Sequence, residues 1–218
     1  PGQYGSGERD APKSLEACQA TNDLVATYVE EHPELFHGWA RTDPRLGEEG
    51  VQEFRRAIEE LGLIGLKHHF LDTPMKCHDE RFDPIWEAAV EMDVPVLIHV
   101  LYRHEERHPA ESYPTDVKRL AQRFPGLDIV EAHISTDDPE RRIKNSYPED
   151  NIYLDISGSS CPAGAVEQAV EYAGVDRVVF GTDNSPIPAV GRLRDSDITA
   201  DQRDRIAGNM GRLIGVDA

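Results

Sequence analysis

His99, His133 and Asp183 each close a short apolar, β-rich run: VPVLIH (94–99), LDIVEAH (127–133) and RVVFGTD (177–183). A polar side chain ending such a run sits close to the interior, where water alone does not satisfy it. Singly, a histidine there is commonly a hydrogen-bonded structural residue, and an aspartate commonly caps the next helix. Together, two imidazoles and a carboxylate at corresponding ends of three units are also the donor set of divalent metal chemistry. Neutral nitrogen and carboxylate oxygen suit Zn²⁺, Fe²⁺ or Mn²⁺. Two further runs, LFHGWAR (35–41) and LIGLKHH (63–69), end in Arg41 and His69 in the same way.

Something must hold these ends in one place, and the pattern between them says what. The runs above, with NIYLDI (151–156), read as six buried parallel strands. Amphipathic stretches at 48–61, 82–92, 115–124, 162–173 and 200–214 read as the helices between and after them, and 14–31 as a helix before the first. Ser14 suits the N-cap of that first helix and Glu16 its positive end, although Ala17 stands where a capping box wants Glu or Gln. Each strand–helix unit takes about thirty residues, the size of a βα repeat. No composition break interrupts residues 1–218, which read as a single domain. Six units fit a doubly wound sheet or most of a (β/α)8 barrel. No G-x-G-x-x-G follows an early strand, and nearly every strand ends in a polar residue, so the fold class is α/β of TIM-barrel type with about six of eight units.

Composition narrows the partners. The 218 residues carry 23 basic against 41 acidic side chains, a net charge of −18, which opposes nucleic acid and anionic membrane. No apolar run reaches the ~18 residues of a transmembrane helix. Only five of the basic residues are Lys, and this acidic, Lys-poor balance predicts a protein suited to a high-salt cytoplasm. Cys18, Cys77 and Cys161 are scattered, with no C-x-x-C, which points to a reducing compartment.

The order P-V-L-I-H (95–99), R-F-P-x-L-x-I-V-x-A-H (123–133), N-x-Y-L-D (151–155), D-R-V-V-F-G-T-D (176–183) and N-x-x-R-L-I-G (209–215) resembles the amidohydrolase superfamily. G-W-A-R-T-D-P (38–44) and G-L-I-G-L-K-H-H (62–69) fit its amidohydrolase-related branch, which includes aminocarboxymuconate-semialdehyde decarboxylase and related metal-dependent hydrolases. The resemblance implies a mononuclear metal, most often zinc. It places His99 as a metal ligand, Asp183 as ligand and proton acceptor, and His133 as the acid/base or electrostatic group. Such a metal brings the pKa of its bound water to about 7. The leading expectation is therefore a hydrolase of a small polar amide, ester or lactone. A non-oxidative decarboxylase of the same branch is the alternative, and a non-catalytic remnant is the rival from another class.

Departures from the pattern matter as well. The branch's first strand ends in H-x-H, a pair absent here, and His68 and His69 are adjacent, so on a strand they point to opposite faces. Counting back from Asp183 as strand eight makes 35–41 strand three, so the chain reads as N-terminally incomplete, with exposed strand edges and a possible homodimer. Ser135 and Thr136 stand where relatives carry H-x-G-G. Strand parity sets Glu131 with His133 and Lys67 with His69, which predicts a Glu131–Lys67 pair inside the barrel. His69, Lys67 and Arg103 are the candidates for substrate contact. Arg103, His104 and His108 lie in the long loop 100–114, for which a solvated charged segment is the commoner reading.

Overall fold

Five short strands run parallel in the order in which the chain makes them: β1 (Leu66–His68), β2 (Val96–Ile98), β3 (Ile129–Glu131), β4 (Ile152–Asp155) and β5 (Val178–Val179). They belong to a computed structural model that describes residues 14–69, 73–100, 109–134, 143–144, 149–158, 162–183 and 186–216. Spatial order never reverses, whereas a doubly wound sheet reverses at its switch point. The winding is that of a barrel wall. A sixth segment extends it through Ala40, which bridges Leu66 in parallel; its N–H donates to the Gly65 carbonyl at 2.7 Å. The run expected at 35–41 is thus a strand only around Ala40, and Leu35 and Phe36 are exposed.

Register assigns the two faces. His68, Ile98, Glu131 and Leu154 are level with one another, as are Lys67, Leu97, Val130 and Tyr153. The first set is buried throughout, under the helices, where the His68 ring meets Phe82 edge-on at 4.8 Å. In the second set Lys67, Leu97 and Tyr153 are only half-buried, because the concave face is partly open. Glu131 and Lys67 therefore lie on opposite faces, and the expected pair inside the barrel is corrected: Glu131 points to the helical layer.

Among the described residues the longer helices are α1 (Leu15–Glu31), α2 (Glu48–Glu59), α3 (Asp83–Glu91), α4 (Pro114–Arg123), α5 (Ala165–Ala173), α6 (Pro186–Asp195) and α7 (Ala200–Leu213). Ser14 caps α1 by accepting the Ala17 N–H at 3.2 Å, and Cys18, Asn22 and Ala26 form its buried stripe. Helix α6 has no counterpart among the expected helices, and it carries Pro186 and Pro188 in its first turn. Proline is tolerated in a first turn, where the N–H has no intrahelical partner. Among the described residues no helix is long and apolar enough to cross a membrane.

Two asparagines from the sequence motifs tie this scaffold together. Asn151 Nδ2 donates to the carbonyls of Phe124 and Leu127 at 3.0 and 2.9 Å, joining the end of α4 to the start of β4. Asn209 Nδ2 donates to Val175 and Val178 at 2.7 and 2.6 Å, fixing α7 on β5. Both satisfy backbone oxygens that an apolar side chain would leave buried and unpaired.

Candidate active site

The ends of β1, β2 and β3 bring three histidines together. His69 and His99 have ring centroids 4.1 Å apart, and His99 and His133 are edge-to-face at 5.0 Å. His99 Nδ1 stands 3.2 Å from His133 Nε2. That is hydrogen-bonding distance, so a proton can pass between the two rings. His99 Nε2 lies 3.3 Å from Oε1 of Glu111, a fully buried carboxylate. A carboxylate behind an imidazole orients it and raises its basicity, the usual support of a metal-bound histidine.

His133 reaches this position through its backbone. Parity alone would send it to the helical face with Glu131, but its φ of +70° turns the side chain back towards His99. On its far side Nδ1 is 2.8 Å from Ser157 Oγ, and the Ser157 hydroxyl and N–H both bond the Asp155 carboxylate, the latter at 3.0 Å. Burial pushes the Asp155 carboxyl above its ordinary range, opposed by these donors and by the His133 N–H. Beside the carboxylate lies Gly181, where a Cβ would collide with Asp155 Oδ1; this is why the F-G-T-D run has glycine there.

Asp183 follows two residues later, exposed and at φ +49°. Among the described residues no hydrogen bond or ion pair joins its carboxylate to the three histidines, and no three His, Cys, Asp or Glu side chains form a metal site. A catalytic cation takes about three protein ligands. The described donors fit part of such a shell in type, with His99 best supported.

A small pocket beside His69 is lined by Arg41, Thr42, Lys67, Thr21 and Cys18. Arg41 is set from behind: buried Asn22 on α1 accepts its N–H at 2.8 Å and donates to its carbonyl at 3.0 Å, while also bonding Glu53 of α2. The cations of Arg41 and Lys67 make this pocket suited to an anion. Arg103, with His104, His108, Ser135 and Thr136, lies outside the described residues. Sequence reasoning missed Glu111 and Ser157 as site residues. Glu111 sits in a charged loop with no spacing signal, and Ser157 lies two residues beyond the end of β4, where only its contact to His133 reveals it.

Against known proteins, the family model described as Amidohydrolase matches residues 3–207. Gamma-resorcylate decarboxylase of Rhodococcus jostii is 24% identical over 221 residues, 78% of this chain and 67% of that protein. The 2-amino-3-carboxymuconate-6-semialdehyde decarboxylase of Dictyostelium discoideum is 33% identical over 96 residues, 44% of this chain and 26% of that protein. The chain thus spans about two thirds of the first relative and a quarter of the second. In three dimensions it is similar to a dihydroxybenzoic acid decarboxylase from Polaromonas with bound manganese and the inhibitor 2-nitroresorcinol. The TM-score is 0.71 at 22% identity, covering 92% of this chain and 75% of that one.

Proposed function

The chain belongs to the amidohydrolase family, and from that premise we propose that it is a metal-dependent, non-oxidative decarboxylase of a small aromatic or unsaturated carboxylate. The observation that carries this reading is the cluster of His69, His99 and His133 next to a pocket bearing Arg41 and Lys67. It replaces the hydrolysis expected from the sequence. The relatives that overturn that expectation are named as decarboxylases, and the physical reason is the pair of cations beside the histidines, which suits an anionic substrate better than a neutral amide or ester.

His99 would hold a divalent cation, with Asp183 as the carboxylate ligand that the family resemblance implies, and manganese, bound in the Polaromonas enzyme, is as reasonable an occupant as zinc. When bound, such a cation would polarise oxygens of the substrate and offset the negative charge left when carbon dioxide departs. Arg41 and Lys67 bind and orient the carboxylate, and His69 walls the pocket between them and His99. Decarboxylation consumes one proton at the carbon that loses the carboxylate. His133 holds that proton on Nε2 and hands it over, while its Nδ1 stays bonded to Ser157.

The test is carbon dioxide release by the chain supplied with Mn²⁺ or Zn²⁺, assayed on hydroxybenzoates and on amide, ester and lactone panels. Support is turnover of a hydroxybenzoate or unsaturated acid, with metal content lost in His99→Ala and turnover lowered about 10²–10⁴-fold in His133→Gln. Hydrolysis without carbon dioxide release, no turnover of any acid, or full metal content in His99→Ala would overturn it.

A further inference from the structure

Ser157 bonds its neighbours in an unusual order for a serine beside a histidine and an aspartate. In a nucleophilic triad the imidazole lies between hydroxyl and carboxylate; here the hydroxyl lies between carboxylate and imidazole. Asp155 receives three donors: the Ser157 N–H at 3.0 Å, the His133 N–H at 3.4 Å and the Ser157 hydroxyl. Convergent donors favour the carboxylate anion, against the burial that raises its pKa. A hydroxyl has one proton, and this one is committed to Asp155, so only lone pairs remain for His133 Nδ1 at 2.8 Å. The nitrogen facing them must carry the hydrogen. The loop holding Ser157 is itself fixed: buried Arg192 on α6 donates to the carbonyl of Ile156 and, at 3.0 Å, to that of Gly158, one on each side of the serine.

We infer that Ser157, anchored by Asp155 and straddled by Arg192, is a positioning residue that sets the tautomer of His133, with N–H on Nδ1 and a lone pair on Nε2. That lone pair then faces His99 Nδ1 across 3.2 Å and accepts its proton when His99, whose Nε2 hydrogen goes to Glu111, carries a second one. It is ready to take a proton and pass it on, and Nδ1 never has to give one up. Free neutral histidine prefers the opposite tautomer, so the protein must impose this one. Its link to turnover rests on the decarboxylase reading; the tautomer itself does not.

The experiment is a long-range ¹H–¹⁵N correlation spectrum of the full chain labelled at histidine nitrogens, at a pH above about 7.5 where imidazoles are neutral. His133 is assigned by the loss of its signals in His133→Gln. The expected result is an Nδ1–H imidazole in the parent, a shift to mainly Nε2–H in Ser157→Ala, and recovery in Ser157→Thr, which restores the hydroxyl. With a substrate in hand, Ser157→Ala lowers kcat about 10–100-fold at nearly constant KM. An Nε2–H imidazole in the parent, or a Ser157→Ala spectrum that keeps the parent tautomer with its amide fingerprint intact, overturns the inference. Because the spectrum needs no substrate, the tautomer is decided independently of whether the decarboxylase assay succeeds or fails.

Discussion

Acid should weaken this fold through His68, and by an amount the structure sets. The ring is buried under Phe82, its Nε2 lies 3.0 Å from the Met75 carbonyl, and burial, then the neighbouring Lys67 charge, pushes its pKa down to about 3. Unfolded, the same side chain titrates near 6.5. Between the two values the unfolded chain binds a proton that the native state refuses, so stability falls as pH falls. It is fully present above about 6.5 and is lost at about 1.4 kcal/mol per unit below it. From pH 6.5 to 4.5 the loss is about 2–3 kcal/mol, and about 4 kcal/mol by pH 3, a large share of the ~5–15 kcal/mol that holds a domain together. Asp155 works the other way: its raised pKa favours the native state at low pH and loses that contribution as pH rises. The variant difference separates them. Urea unfolding of the parent and of His68→Leu, followed by Trp fluorescence across this range, should give a steeper acid slope for the parent. His68→Leu should be the less stable by about 1 kcal/mol at pH 8, having lost the Met75 hydrogen bond. Equal slopes for the two proteins would refute the reasoning.

Gly181→Ala places a methyl against the Asp155 carboxylate. It should destabilise by about 1–3 kcal/mol in urea unfolding, and a change within about 0.5 kcal/mol would mean that the carboxylate yields freely. Cys77, whose thiol burial raises to about 12, should escape alkylation in the native protein at mildly alkaline pH and react once urea unfolds it. Peptide mapping by mass spectrometry reads both states, and prompt native modification would contradict the burial.

The barrel wall was legible because its strands are covered by helices on one side and by one another along their edges. That leaves apolar runs such as VPVLIH and RVVFGTD with no competing reading. What the runs overstate is length: six or seven apolar residues resolve to two to four paired ones, since burial extends past the hydrogen-bonded ladder into the turns. His99 and His133 were legible as strand ends that meet. Their supports were not, because each comes from a segment with no pattern of its own. Glu111 is twelve residues from His99, Ser157 is twenty-four from His133, and Arg192 is more than thirty from the carbonyls it holds.

The parity argument that misplaced Glu131 shows where sequence alternation stops being a guide. Counting by twos assumes extended backbone to the last residue, and it holds for Lys67, His69 and His99, which share the concave face. At His133 and Asp183 the chain instead enters the left-handed region, a conformation that costs non-glycine residues about 1–3 kcal/mol and persists only where its surroundings enforce it. For His133 those surroundings are visible: its N–H on Asp155, its Nδ1 on Ser157, and the Ile134 N–H on the Asp155 carbonyl at 3.1 Å. The same carboxylate that orients the serine thus enforces the backbone turn that carries the imidazole to His99. One residue, Asp155, with Gly181 leaving room for it, converts a strand end whose alternation points outward into a group that faces the site.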